Sequence, residues 1–315
     1  MLNTQNAQEP LELVAFNLIM DDVILPDGSH HDNLPGGGGP QTAFGMRLWS
    51  DQVGIFASVG EDLPQNAWTW LRGSGIDTRG LLFRGEQTLR ARQEIAADGQ
   101  RTHTWLVPPD VVQAHFNRSA GMLPPFYRTA RGFHLGIHAE DPDWDFIHSL
   151  RKLGVCLSLE VFRPSPSPLP ESHLKSLLEN AEIFSCNLHE GRSITGLEQP
   201  LEILRRLLAL GGRVVTLRMG AEGSLAAMEG ERSAYRFAAY PVTVVDALGA
   251  GNAYCGGFLT GWLDSGSIPE AGARGASAAS FLMEQIGLPD WKNSFRMEAH
   301  RRADFIRENV EKIPF

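Results

Sequence analysis

Short apolar runs alternate with amphipathic stretches along most of this chain, a pattern typical of βα units built around a largely parallel sheet. The apolar runs predict buried strands at residues 11–19, 53–57, 133–137, 155–159, 183–185, 214–217 and 225–228. Apolar residues at helical spacing predict helices at 42–49, 64–71, 143–153, 171–180 and 201–210. From Gly251 onward the pattern is helical and ends in a charged helix at 295–309. The sequence therefore predicts the α/β fold class.

Two segments, about 22–33 and 81–106, do not follow this rhythm. The second is rich in Thr, Gln and Arg with alternating side chains, and Asp98-Gly99 separates its two arms, which indicates a hairpin. These two segments form a β excursion from the main domain, which either covers one edge of that domain or forms a lid over a ligand. Because ligands of open α/β sheets bind at the carboxyl ends of the strands, and the excursion follows the first strand, the lid is favoured.

Composition narrows the class of protein. The 315 residues are 43% hydrophobic, enough for a substantial core, and the net charge of −9 without a basic run argues against nucleic-acid binding. Cys156, Cys186 and Cys255 have no metal-ligand spacing and are expected to be reduced and buried. The polar start does not resemble a signal peptide, and no apolar run reaches the ~18 residues of a membrane span. We expect a cytoplasmic protein that binds a small molecule.

Glycine is in excess, at 33 residues, and it is clustered. The strongest cluster is Gly249-Ala250-Gly251, which follows Val244-Val245, expected to be a strand, and precedes an apolar helix at 255–263. The first N–H groups of such a helix form a site for a phosphoryl group, although an ordinary tight turn also fits the glycines alone. Gly256 and Gly257, inside the helix, predict close packing instead.

Other sites that glycines or histidines suggest are disfavoured. The glycines at 36–39 lie too far beyond the first strand for a dinucleotide fingerprint, and the chain has no Gly-Lys pair for a P-loop. His30-His31 lacks further ligands at metal spacing, so these side chains are expected to be solvated. His134 and His138 flank a strand end and are expected in the core or at the rim of the pocket.

Asp246 to Gly251, Asp-Ala-Leu-Gly-Ala-Gly ahead of an apolar helix, resembles the C-terminal signature of the PfkB, or ribokinase-like, family of sugar and nucleoside kinases. Further segments resemble the family's motifs in the family's order. They are Asn17 to Asp22, Pro35 to Ala43, Val59 to Asp62, Gly75 to Thr78, Asn187 to Glu190 and Arg218 to Gly223.

This resemblance implies one kinase domain over 1–315, with a ribokinase-like three-layer α/β/α architecture and a small β lid. It also implies ATP, Mg²⁺, a monovalent cation near Asp246 and, as in many relatives, a homodimer paired through the lid. The implied substrate contacts are Asp21, Gly36, Gly37, Gly38 and Gln41. The implied nucleotide or cation contacts are Asn187, Arg218, Gly220, Gly223, Asp246, Ala276 and Ala279, with Asn187 and Glu190 organising Mg²⁺ through waters. Gly249, Ala250 and Gly251 would form the anion hole.

Two departures from the family pattern affect the function. The family's general base is an aspartate directly after Gly-Ala-Gly, and this chain has Asn252 there, as one branch of the family does. An amide cannot take a proton, and a positioned general base contributes about 10²–10⁴ in rate. Relatives that bind ribose often have lysine and asparagine after Gly-Gly, where this chain has Gly38 and Gln41-Thr42, which weakens ribose as the expected substrate. Pro40 fixes a backbone angle and removes a donor in the same loop. Two functions therefore stand: an ATP-dependent kinase of a hydroxymethyl group on a sugar, nucleoside or similar alcohol, or a weak or inactive regulatory binding protein.

Overall fold

The computed structural model describes residues 11–97 and 101–315. The Asp98-Gly99 turn and the start of the chain, on which two predictions rest, lie outside these residues. The strands are β1 Leu13–Phe16, β2 Ile19–Ile24, β3 His30–Gly36, β4 Val53–Val59, β5 Asp77–Phe83, β6 Arg90–Ile95, β7 Arg101–Trp105, β8 Gly132–Ile137, β9 Cys156–Val161, β10 Ile183–Asn187, β11 Val214–Arg218, β12 Ser224–Met228, β13 Ser233–Phe237 and β14 Glu311–Pro314.

The helices alternate with these strands through the first two thirds of the chain and then follow one another. They are α1 Gly39–Arg47, α2 Gln65–Ser74, α3 Pro109–Phe116, α4 Trp144–Arg151, α5 Glu171–Glu179, α6 Leu188–Thr195, α7 Pro200–Ala209, α8 Ala250–Ser265, α9 Ile268–Met283 and α10 Ser294–Glu308. In the described part of the chain, no helix is both long enough and apolar enough to cross a membrane.

The main sheet has ten strands in the order β14-β13-β12-β11-β10-β9-β8-β1-β4-β5. Strands β5, β4, β1, β8, β9, β10 and β11 run parallel, and β12, β13 and β14 extend the sheet antiparallel. The parallel order places the carboxyl ends of β9, β10 and β11 side by side, where ligands of such sheets bind.

Alternation along the strands divides the core into two faces. In β1, Leu13 and Ala15 pack in a cluster with residues of α1, α2, α8, α9 and α10, whereas Val14 and Phe16 pack with residues of α4, α5, α6 and α7. The molecule therefore has three layers, with helices on both faces of the sheet.

A second sheet of four strands, in the order β3-β2-β6-β7, includes most of the two segments that broke the βα rhythm. A small apolar cluster around Ile19, Leu89 and Ala91 packs beneath it with Trp105 and residues of α3. We refer to this sheet as the lid. Residues 81–83 of the predicted lid segment belong instead to β5 of the main sheet.

Two predicted elements need correction. The single strand predicted at 11–19 is broken at Asn17, whose φ of 74° turns the chain from β1 into β2 of the lid. Val244 and Val245 do not form a strand: they are 60% and 52% exposed, and the Val245 N–H bonds to the Met283 carbonyl at the end of α9. The strand β13 and the edge strand β14 were not predicted.

Candidate functional site

The glycine loop, residues 36–38, lies against Asp21. Asp21 is buried in β2, where its carboxylate accepts a 2.9 Å hydrogen bond from Gln93 Nε2 of β6 and another from the Gly37 N–H. A Cβ atom at Gly36 would overlap Asp21 Oδ2, so only glycine allows this approach. The loop therefore presents its backbone beside a buried carboxylate that is held from the lid.

The other end of the glycine loop contacts Asn252. Asn252 is the third residue of α8, and a Cβ atom at Gly38 would lie 2.9 Å from its Nδ2. The first-turn N–H groups of a helix have no intrahelical partners, so Asn252 stands beside backbone donors, of which the Ala250 N–H is already engaged by the Ala247 carbonyl at 3.2 Å. The loop thus separates Asp21 on one side from the N-terminus of α8 on the other.

The turn into α8 depends on Gly249, which has a φ of 81°. A Cβ atom there would lie 2.5 Å from Cγ of Gln41, which is buried and donates from Nε2 to the Pro35 carbonyl at 3.0 Å. Gln41 Oε1 is buried without a hydrogen-bond partner among the described residues. Gln41 therefore links the glycine loop to the turn of the predicted anion hole.

Glu160, near the end of β9, is the centre of a buried polar network. Its Oε2 accepts hydrogen bonds from Asn252 Nδ2 at 2.7 Å and from His134 at 3.1 Å, and its Oε1 pairs with Arg218 at 2.6 Å. Burial alone would raise the pKa of Glu160, but Arg218, His134 and Asn252 outweigh it and hold the pKa at about 2. Glu160 is thus an ionised acceptor and too weak a base to take a proton near neutral pH.

Arg218, the last residue of β11, lies between two carboxylates. It pairs with Glu160 on one side and lies 3.6 Å from Glu190 on the other. A Cβ atom at Gly251 would overlap the Arg218 guanidinium, so this cation lies against the first turn of α8. Its Nε and the terminal nitrogen that faces Glu190 are buried without hydrogen-bond partners among the described residues, so the two carboxylates do not use all of its donors.

Asn187 and Glu190 form a capping box at the start of α6. Asn187 Oδ1 accepts from the Glu190 N–H at 2.8 Å, and Glu190 Oε2 accepts from the Asn187 N–H at 2.7 Å. Burial raises the pKa of Glu190 to about 7 even though Arg218 opposes the shift. Two carboxylates thus share one guanidinium, and the incompletely compensated charge at Glu190 suits a further cation such as Mg²⁺.

The contacts join most of the predicted site residues into one group, running from Asp21 through the glycine loop to Asn252, and from Gly251 through Arg218 to Glu190 and Asn187. The remaining predicted nucleotide residues have neighbours of their own. They are Gly220, in open space; Gly223, against the Phe237 carbonyl; Asp246, which accepts from the Leu248 N–H; Ala276, buried in α9; and Ala279, half-buried there.

Among the described residues, one buried group has the chemistry of metal ligands: His134, Glu160 and Cys255, whose ligand atoms lie within 4.8 Å of one another. Both oxygens of Glu160 are already occupied by its three partners. Burial holds the pKa of the Cys255 thiol well above its usual range, which disfavours the thiolate that binds metals. This group is therefore a hydrogen-bonded core and gives no reason to place a metal in it.

Sequence reasoning missed Glu160. It is the one charged residue in β9, a strand that is otherwise apolar apart from Ser158, and an acidic residue in such a strand signals a buried pair. His134 was expected in the core or at the rim, and it is buried against Glu160 and Ser158. His138 is exposed, and His30 and His31 lie in β3 rather than in a loop.

The chain has recognisable similarity to known proteins. Residues 145–291 match the sequence model described as pfkB family carbohydrate kinase. A cytidine kinase from Thermococcus kodakarensis is 24% identical over 283 residues, which cover 89% of this chain and 98% of that protein. The matched part of the chain, somewhat less than half of it, is therefore similar to a PfkB carbohydrate kinase domain.

Solved structures show the same architecture. The adenosine kinase from Sinorhizobium meliloti superimposes with a TM-score of 0.75 at 18% identity, covering 93% of this chain and 99% of that one. A fructokinase double mutant from Vibrio cholerae O395, in a form with fructose, ADP and potassium ion bound, gives a TM-score of 0.70 at 20% identity, with 89% of this chain and 94% of that one covered. The predicted ribokinase-like α/β fold, with its mostly parallel central sheet, is confirmed.

Proposed function

We propose that the protein is an ATP-dependent phosphotransferase that acts on a hydroxymethyl group of a sugar, nucleoside or related small alcohol. The observation that carries the proposal is the glycine loop, which contacts Asp21 at one end and Asn252, in the first turn of α8, at the other. An alcohol held by Asp21 and the loop would face the helix terminus that suits a phosphoryl group. The cytidine kinase relative and the ADP-bound fructokinase support this proposal.

Each group in the site has a role in this reaction. Asp21 and the backbone of 36–38 orient the substrate hydroxyls, and the N–H groups of 249–251 with the Arg218 guanidinium stabilise charge on the transferred group. Asn187 and Glu190 would hold Mg²⁺ through waters, and Asp246 would lie near a monovalent cation. Bound ATP and Mg²⁺ supply an electrophilic terminal phosphorus atom. Gly220, Gly223, Ala276 and Ala279 are proposed to contact the nucleotide.

Asn252 affects where the proton of the substrate hydroxyl can go. Its Oδ1 can accept a hydrogen bond from the substrate hydroxyl and align that oxygen, but it cannot take the proton. The new O–P bond forms as ADP leaves, and the proton passes to a phosphoryl oxygen or to water. Because phosphoryl transfer depends mainly on positioning and charge stabilisation, turnover is expected to be slow rather than absent.

A second candidate function is a binding or regulatory protein on the same fold, which the amide at position 252 favours. The proposal for the whole molecule also includes a single kinase domain over 1–315 and a homodimer paired through the lid.

Substrate-dependent ADP release over a panel of sugars and nucleosides, with Mg²⁺ present, tests the kinase proposal. We expect turnover by the wild type and a loss of about 100-fold or more in Asp21→Asn, because orientation contributes strongly to rate. Asp22→Asn is the matched control: Asp22 accepts from the Asn33 N–H and pairs with Arg90 within the lid, so its loss should leave turnover within about threefold. Equal effects of the two changes, or no turnover with any acceptor, would argue for the second function.

A further inference from the structure

The Asn252 side chain has one orientation that its surroundings allow. Its Nδ2 donates to Glu160 Oε2 at 2.7 Å, and a flipped amide would place Oδ1 against a carboxylate that accepts only. Within residues 11–97 and 101–315, no hydrogen-bond donor contacts Oδ1. Oδ1 is also not a fully buried polar atom left without a partner. Since Asn252 is half-buried beside the glycine loop, Oδ1 is the amide atom left for a ligand.

Glu160 is itself fixed from the side of the sheet. His134 and Arg218 occupy it from β8 and β11, and the His134 ring is held in turn by Ser158 at 3.0 Å. Both oxygens of the carboxylate are engaged by His134, Arg218 and Asn252, so neither is left for a substrate. Glu160 is linked to the start of α8 through the amide of Asn252 and through Arg218, which lies against Gly251.

We propose that Glu160 is a positioning residue for Asn252, and that positions 160 and 252 form one unit that holds a single carboxylate and a single amide. In this unit, which we call the 160/252 pair, the carboxylate on β9 holds the Nδ2 of the amide and directs its acceptor oxygen away from the buried network. The pair also gives a physical reason for the amide at position 252. An aspartate there would contact Glu160, and two carboxylates at this distance cannot both ionise without a large cost in free energy.

The inference rests on the proposed phosphotransferase function for the role of Oδ1, but the pairing itself is independent of activity. Exchanging the carboxylate and the amide should therefore preserve the pair only when positions 160 and 252 are changed together. Asn252→Asp alone sets carboxylate against carboxylate. Glu160→Gln alone leaves an amide that can donate or accept, so the orientation of Asn252 is lost.

The test compares four proteins: wild type, Glu160→Gln, Asn252→Asp and the double variant. Turnover is measured as ADP release with the best acceptor of the panel. We expect each single change to lower kcat at least about tenfold, because a misplaced acceptor no longer aligns the substrate hydroxyl, and the double variant to recover to wild type or above. A merely structural role would give no such rescue of kcat. Glu182→Gln makes the same carboxylate-to-amide change in an ion pair with Arg213, outside this network; it is the control and should stay within about threefold.

Stability gives the second readout, which does not require kinase activity. In urea unfolding, the equilibrium constant should shift toward unfolding by about tenfold or more in Asn252→Asp and return toward wild type in the double variant, because contacting residues couple. If no protein turns over any acceptor but this coupling is present, the kinase proposal fails and the 160/252 pair stands. The pair is overturned if Asn252→Asp is as stable and as active as the double variant.

Discussion

Glu160 on β9 and Asn252 at the start of α8 are joined by a 2.7 Å hydrogen bond, although 92 residues separate them in the chain. This bond places an ionised carboxylate directly behind the position where the resemblance leads one to expect the catalytic base. The amide at position 252 is therefore part of a hydrogen-bonded network, and not only the absence of a carboxylate. Predictions about this site therefore concern groups of residues.

Arg218→Met should be strongly destabilising. The change leaves the buried carboxylate of Glu160 without its cation, and breaking a buried pair from one side costs about 3–5 kcal/mol. Arg213→Met is the control, because Arg213 pairs with Glu182 at 2.8 Å but is 66% exposed, and surface pairs contribute about 0–1 kcal/mol. Urea unfolding of both variants measures the difference. Equal losses would show that the Glu160–Arg218 pair is not the buried anchor described above.

The stability of Asp21→Asn should depend on pH. Burial raises the pKa of Asp21 to about 6, above its unfolded value of 3.8, so ionisation opposes folding. This penalty is absent below about pH 4, grows between the two pKa values and is complete above about pH 6. Asp21→Asn should therefore gain about 1–2 kcal/mol on wild type at pH 8, after the loss of one hydrogen bond, and gain nothing at pH 4.

Unfolding free energies of the two proteins at pH 4 and pH 8 check this prediction. A difference that does not change with pH would contradict the raised pKa. Together with the loss of turnover expected for the same variant, a gain at pH 8 would show that the site holds Asp21 ionised at a cost in stability.

Gly249→Ala and Gly266→Ala test the turn into α8. Both glycines have positive φ, 81° and 61°, and they flank opposite ends of the same helix. Gly266 has open space around it, so alanine there should cost only the backbone strain of about 1–2 kcal/mol. At Gly249 alanine also meets Gln41, which adds about 1–3 kcal/mol for overpacking.

Calorimetric titration with ADP extends this comparison to binding. Gly249→Ala should weaken ADP binding about tenfold or more, because the first-turn N–H groups shift, and Gly266→Ala should leave it within about twofold. Equal ADP affinities in the two variants would show that the turn at Gly249 does not contribute to nucleotide binding.

The fold was largely predictable because the strand and the helix of each βα unit produce recognisable patterns of apolar residues in the sequence. The strand at 133–137 and the helix at 171–180 were placed to within one or two residues of β8 and α5. The errors occur where tertiary contacts decide: Asn17 takes a left-handed conformation that splits one apolar run between two sheets, and Val244-Val245 has strand propensity but binds the end of a helix.

The site was predictable from motifs only on the side where a ligand is proposed to bind. Asp21, the glycine loop and Asn252 stand in recognisable local patterns, and the structure brings them together. Glu160 has no such pattern around it, since its partners His134, Arg218 and Asn252 come from three other elements. A charged residue inside an apolar strand was the available signal.

The most direct test of the account is transfer of the labelled terminal phosphate of ATP by the wild-type protein, with each product identified by mass spectrometry. The account predicts slow, Mg²⁺-dependent labelling of a hydroxymethyl group on at least one sugar or nucleoside, with one ADP formed per labelled product. ADP binding without labelling of any acceptor would contradict it and identify a binding protein on a kinase fold.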